Sequence, residues 1–263
     1  MILCNANGAA IFQPAYFYFL TRSKARSRDP NVPWNDAMAL LVVTLPIMAC
    51  PLLLFAPAWL GYSTWEHHGF IALFHTTPVL VFGLFWLTAT VLAAYAGNDT
   101  KNGNADKPWI VASLVLAGTV AAGVHIFTLL RALKTTDADA SLHRLFVPSH
   151  GRANPFPAWI TTVGSTTEGL AADYTALLEE FHLFSQYDWI VICLSCMLFV
   201  QLLLAKRDGE DLEEPSDERT VGWKEVACLA WGTILLGPGA AGSFALAIGE
   251  SRIREETEPP KSQ

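Results

Sequence analysis

Two acids and seven histidines hold most of the chemistry available to this chain. Asp188 stands in FHLFSQYDWIV, residues 181–191, directly before the apolar run 189–205, with Gln186 and His182 close upstream. Leu170, Tyr174, Leu177, Leu178, Phe181 and Phe184 recur at three- and four-residue spacing, which predicts an amphipathic helix. The next position in that period is Asp188, whereas Glu179 and Glu180 fall on the wet face. Apolar surroundings disfavour a carboxylate, so such an acid keeps its proton, and a protonated carboxyl in a dry pocket is a general acid. The other reading is that Asp188 caps or neutralises a neighbour at a membrane surface. Glu66, in STWEHH (63–68), is the second acid, followed by His67 and His68.

These residues must be held by membrane helices. The chain is 52% apolar and 16% charged, and its apolar residues come in blocks. A bilayer core about 30 Å thick needs roughly 20 apolar helical residues. Residues 37–60, 70–96, 108–133 and 226–248 meet that length or approach it; 189–205 add a fifth span, and 1–20 a weaker sixth broken by Asn5, Asn7 and Gln13. The expected fold is all-α, a polytopic bundle of about six spans (1–248) with one long amphipathic loop-helix, then a disordered polar tail, 249–263. The opening residues read as the second half of a helix, which predicts an incomplete N-terminus. Arg22, Lys24, Arg26 and Arg28 follow them, an arrangement that suits an anchor better than a cleaved signal.

Six spans place loops 21–36, 97–107 and 206–225 on one side and 61–69, 134–188 and the tail on the other. Lys and Arg divide ten against seven, counting Arg131, so the first set is expected in the cytoplasm. Glu66, Asp188 and all seven histidines then gather toward the opposite side. Ser165-Thr166-Thr167-Glu168 matches a capping box that starts the loop helix. Cys193 and Cys196 spell CxxC inside an apolar span, where packing is the simpler role. No basic patch interleaved with aromatics suggests nucleic acid.

Three short segments resemble the fungal integral-membrane terpene cyclases of meroterpenoid pathways: FSQYDWIV (184–191), IFQPAYFYF (11–19) and PLLLFAPAWLGYSTWEHHGFIALFHTTP (51–78). The resemblance implies a helix bundle, expected in the endoplasmic reticulum, that protonates a prenyl chain and folds it into rings without metal or other cofactor. It carries the acid role to Asp188 and, by its Trp-Glu setting, a role to Glu66. The partners it implies are a lipophilic prenylated small molecule and membrane lipid. Consistent with it, the chain has neither a DDxxD metal motif nor the DxDD acid motif of soluble protonating cyclases. Trp65, Trp86, Phe181, Phe184, Tyr187 and Trp189 are the aromatic candidates to steady a carbocation, with Gln186 beside them. Two rival readings remain: a metalloenzyme using His67, His68, His75 and His125, and a non-enzymatic transporter with Pro-kinked spans and a Gly-Pro-Gly break at 237–239.

Overall fold

Long apolar stretches with few breakers become long helices here, and prolines and glycines mark where they stop. The computed structural model describes residues 9–22, 31–96, 104–136, 141–147, 167–204, 206–207, 219–220 and 222–257. Its helices are α1 (Ala9–Arg22), α2 (Trp34–Ala49), α3 (Leu52–Trp59), α4 (Thr64–Ala96), α5 (Lys107–Lys134), α6 (Leu142–Phe146), α7 (Thr167–Leu204), α8 (Trp223–Leu236) and α9 (Pro238–Thr257). One two-residue antiparallel pairing, β1 (Lys206–Arg207) with β2 (Arg219–Thr220), accompanies them. The expected all-α bundle is the fold found. Among the described residues, four segments are long and apolar enough to cross a membrane: Trp34–Pro57, Trp65–Tyr95, Lys107–Lys134 and His182–Gln201.

The packing order runs α3 on α4, α4 on α2, α2 on α5, α5 on α9, and α9 on both α7 and α8, with α1 packed on α7. Small residues draw these helices together, as membrane bundles require when lipid competes for apolar contact. Ala240, Ala241, Ala245 and Ala247 of α9 are buried, and Gly118 of α5 receives the ring of Phe244, which would lie 2.7 Å from a Cβ there. Outward faces are apolar: Trp65, Phe82, Trp86 and Tyr95 on α4 are all exposed, a surface suited to lipid. Pro78 inside α4 removes one backbone donor and so frees the carbonyl of Phe74; the Thr77 hydroxyl donates to that oxygen at 2.6 Å.

Two expectations are corrected. Residues 226–248 do not form one span but a hairpin. Gly237 takes φ +88°, Pro238 restarts the chain as α9, and α9 returns antiparallel along both α8 and α5. Its pairings fix the direction: Gly239 beside Ala121, Phe244 on Gly118, Arg254 on Asp106. The tail is also shorter than expected. Residues 249–257 continue α9 and are tied down by ion pairs from Arg252 to Glu225 and from Arg254 to Asp106 and Glu250; residues 258–263 lie outside the described residues.

The second of those ties is a buried clasp. Arg254, 0% exposed, donates to Asp106 (2.7 Å), Glu250 (2.9 Å), Asn104 (3.3 Å) and Asn31. Asp106 also accepts the backbone N–H of Val32 at 3.0 Å. Burial alone would favour a neutral guanidine, but the two carboxylates outweigh it and hold the Arg254 pKa above its ordinary value. The clasp therefore joins the starts of α2 and α5 to the end of α9.

Candidate active site

At the opposite end of the bundle from the clasp lies an apolar cavity of about 370 Å³, lined by parts of α5, α6, α7 and α8. That volume is within the roughly 300–1,000 Å³ typical of small-molecule sites. Leu129, Phe146, Trp189 and Ile234 supply much of its wall, and among the described residues His125 and His143 are its ionisable side chains. Phe146 stands between two other rings, 5.5 Å from Trp189 and 6.1 Å from His125, both tilted by nearly 60°.

The lid-like α6 is only five residues long, too short to stand alone. Ser141 caps its start by accepting from the Arg144 N–H. Helix ends leave carbonyls without partners, and α7 supplies donors: Gln186 Nε2 bonds the carbonyls of Arg144 (2.6 Å) and Val147 (3.3 Å). His182 Nε2 reaches the same Arg144 oxygen at 2.8 Å, and since a carbonyl only accepts, that nitrogen carries the proton. Gln186, 4% exposed, thus positions Phe146 and Val147 over the cavity rather than facing a guest itself.

A second carbonyl is freed at the hairpin tip. Pro238 has no N–H, so Ile234 O lacks the helical donor four residues on. His125 Nε2 fills the vacancy at 3.1 Å. The ring lies against bare backbone at Gly237, where a Cβ would sit 2.9–3.0 Å from it. His125, a residue of α5, is thereby built into the cavity wall.

The candidates from the sequence divide. Trp189 lines the cavity and Gln186 braces its cover. Asp188 is half-buried, adjacent in sequence to Trp189 but about 100° around the helix from it, and is outside the cavity wall. Phe184 and Tyr187 are exposed. The face of α7 that packs runs through Gln186, Cys193 and Val200, two turns apart, rather than through Phe184 and Asp188. The Phe181 side chain lies outside the described residues. Trp65 and Trp86, 82% and 65% exposed, belong to α4 on the other flank and do not join the cavity.

Glu66 shares that flank. Its Oε2 accepts from both the backbone N–H and the hydroxyl of Ser63 at 2.8 Å, a capping box that starts α4. His67 is bonded through Nε2 to Leu54 O at 3.0 Å. Among the described residues, no three His, Cys, Asp or Glu side chains gather as a ligand set, so His67, His68, His75 and His125 are not brought together. Phe146 is a cavity ring that the sequence alone did not select, and His125 was named there only as a candidate metal ligand. Pro238 was the available signal for His125, because a lost N–H four residues after a carbonyl demands a donor from elsewhere.

Fold and site together define a polytopic helical membrane protein with an apolar small-molecule cavity at one end of the bundle. The chain belongs to the CtvD-domain family, whose profile matches residues 2–251. It is similar to terpene cyclase DEP1 of Fusarium langsethiae, 49% identical over 254 residues, covering 96% of this chain and 68% of that protein. Terpene cyclase DEP1 of Alternaria brassicicola is likewise 49% identical, over 256 residues with the same coverage of each chain. No solved structure matches. The resemblance to fungal membrane terpene cyclases is borne out, and the chain is an enzyme of the terpene cyclase class.

Proposed function

We propose that this enzyme cyclises the prenyl chain of a meroterpenoid or related lipophilic metabolite by protonating it, without a metal ion. The observation that carries the reading is the cavity: an aromatic and aliphatic wall, with Phe146 and Trp189 in it and no carboxylate among its described lining residues. Ionising a diphosphate with a divalent cation calls for oxygen ligands, typically carboxylates. An apolar wall instead suits a hydrocarbon chain and the cation that moves along it.

In this scheme the substrate enters from the bilayer, its polar head toward the interface. Asp188, outside the described wall but next in sequence to Trp189, is the general acid, so the reacting end of the chain must extend past that ring to reach it. It gives its proton to the reacting end of the chain, such as the oxygen of a terminal epoxide. Ring opening leaves a carbocation that neighbouring double bonds capture in turn. The faces of Trp189 and Phe146 stabilise positive charge by about 0.5–2 kcal/mol each when desolvated. Excluding water keeps the cation from being trapped early. The clasp end, rich in Lys and Arg, faces the cytoplasm, and the membrane is that of the endoplasmic reticulum.

The test uses proteoliposomes holding the enzyme and a phenol that bears a terminally epoxidised farnesyl chain, with EDTA present. Acid-initiated cyclisation yields a product of unchanged mass and altered retention. Turnover that appears only after a divalent cation is restored would defeat the metal-free mechanism; uptake of unaltered substrate with no product would defeat the cyclase reading.

A further inference from the structure

We propose that His125 is the base that ends the cyclisation, through Nδ1, and that the Gly237-Pro238 break exists in part to set its tautomer. The assignment rests on the cyclase reading above. Four features of the hairpin tip and cavity lead to it.

First, Pro238 deprives Ile234 O of its helical donor, and His125 Nε2 lies 3.1 Å away. A carbonyl cannot donate, so a neutral His125 must carry its hydrogen on Nε2. Its lone pair is therefore on Nδ1. Second, no described residue bonds Nδ1, whereas His67 and His182 each spend a ring nitrogen on a carbonyl away from the cavity wall. Third, residue 237 is glycine, and a Cβ there would stand 3.0 Å from Nδ1, covering that edge. Fourth, His125 lines the cavity beside Phe146 and across it from Trp189, where aromatic faces would hold the late cation. His143 also lines the cavity, but its side chain is exposed and no carbonyl fixes its ring.

The step balances. Nδ1 takes a hydrogen from the carbon next to the cationic centre; the C–H pair becomes the new C=C bond, and the imidazole becomes imidazolium. The proton gained at Nδ1 equals the one Asp188 gave at the start. It leaves through water at the cavity mouth, and Asp188 is reprotonated from the same solvent.

His125→Gln separates this role from a structural one, because the Gln Nε2 can replace the donor to Ile234 O yet no base remains. With the epoxidised farnesyl phenol as substrate, turnover should fall about 100-fold or more, and residual product should shift to the water-captured alcohol, heavier by one water. Undiminished turnover to the native isomer would overturn the assignment. If the Gln variant does not fold, His125→Ala is assayed with added imidazole: recovery of the native isomer supports the base role, and folded protein without recovery overturns it. His143→Gln, run in parallel, should keep the native product; if it alone diverts the product to the alcohol, His143 is the base instead. Wild-type enzyme that makes no cyclised product would bring down the cyclase reading and this assignment with it. A cyclising wild type matched by His125→Gln would bring down only the assignment.

Discussion

Single residues at the hairpin tip decide how the cavity is built. Gly237 holds a backbone angle that side chains strain to adopt, and it leaves room for the His125 ring. Gly237→Ala should cost about 1–3 kcal/mol in backbone strain, and its methyl should push His125 from Ile234 O. Thermal unfolding in detergent should show a lowered Tm together with reduced turnover; a variant as stable and as active as wild type would contradict the tip geometry. At this scale the sequence was partly legible. Trp189 and Gln186 could be singled out because they flank Asp188, but their different jobs depend on α6, whose five residues carry no readable period. Phe146 went unseen for the same reason. Asp188 itself was placed by extending an apolar stripe, and that logic weakens in a bilayer. There, apolar faces meet lipid, and the packed face is marked by small or polar residues such as Gln186 and Cys193.

Among the elements, the α8–α9 hairpin and its clasp matter most. Arg254 has its charge buried and matched by Asp106 and Glu250, with Asn31 and Asn104 completing its bonds. Removing it strands a buried carboxylate. Arg254→Ala should therefore destabilise the bundle by about 3–5 kcal/mol. Arg254→Lys should recover only part of this, because a single ammonium cannot repeat the forked contact with Asp106. Denaturation of detergent-solubilised protein measures both, and an Ala variant within 1 kcal/mol of wild type, a threshold well below the expected ~3–5 kcal/mol, would show the clasp to be idle. The sequence revealed the apolar length of 226–248 but not its fold-back. Only the partner surface on α5, cut by Gly118 to admit Phe244, distinguishes a hairpin from a kinked span.

For the whole molecule, the hairpin changes the charge map. It returns the end of α9, at Thr257, to the end that holds Arg22, Lys107 and Lys224, so, counting Lys261 with the helix it follows, the Lys and Arg division moves from ten against seven to thirteen against four. The stronger bias predicts the clasp end in the cytoplasm. An acceptor sequon inserted in 61–69 should be glycosylated in microsomes, while one placed after Thr257 should not; the reverse pattern, or glycan after Thr257, would contradict the topology. Most of the architecture was readable at this scale because bilayer thickness sets helix length. The 38 residues of α7 also merged two expected elements, since neither Gly nor Pro interrupts residues 170–204.

The central claim is that a proton from Asp188 starts ring formation. Its most direct measurement compares wild type with Asp188→Asn, matched for membrane insertion and thermal stability, in single-turnover conversion of the epoxidised farnesyl phenol. The account predicts a loss of about 10²–10⁴-fold in the Asn variant with substrate still bound. Conversion by Asp188→Asn at the wild-type rate would show that the proton comes from elsewhere.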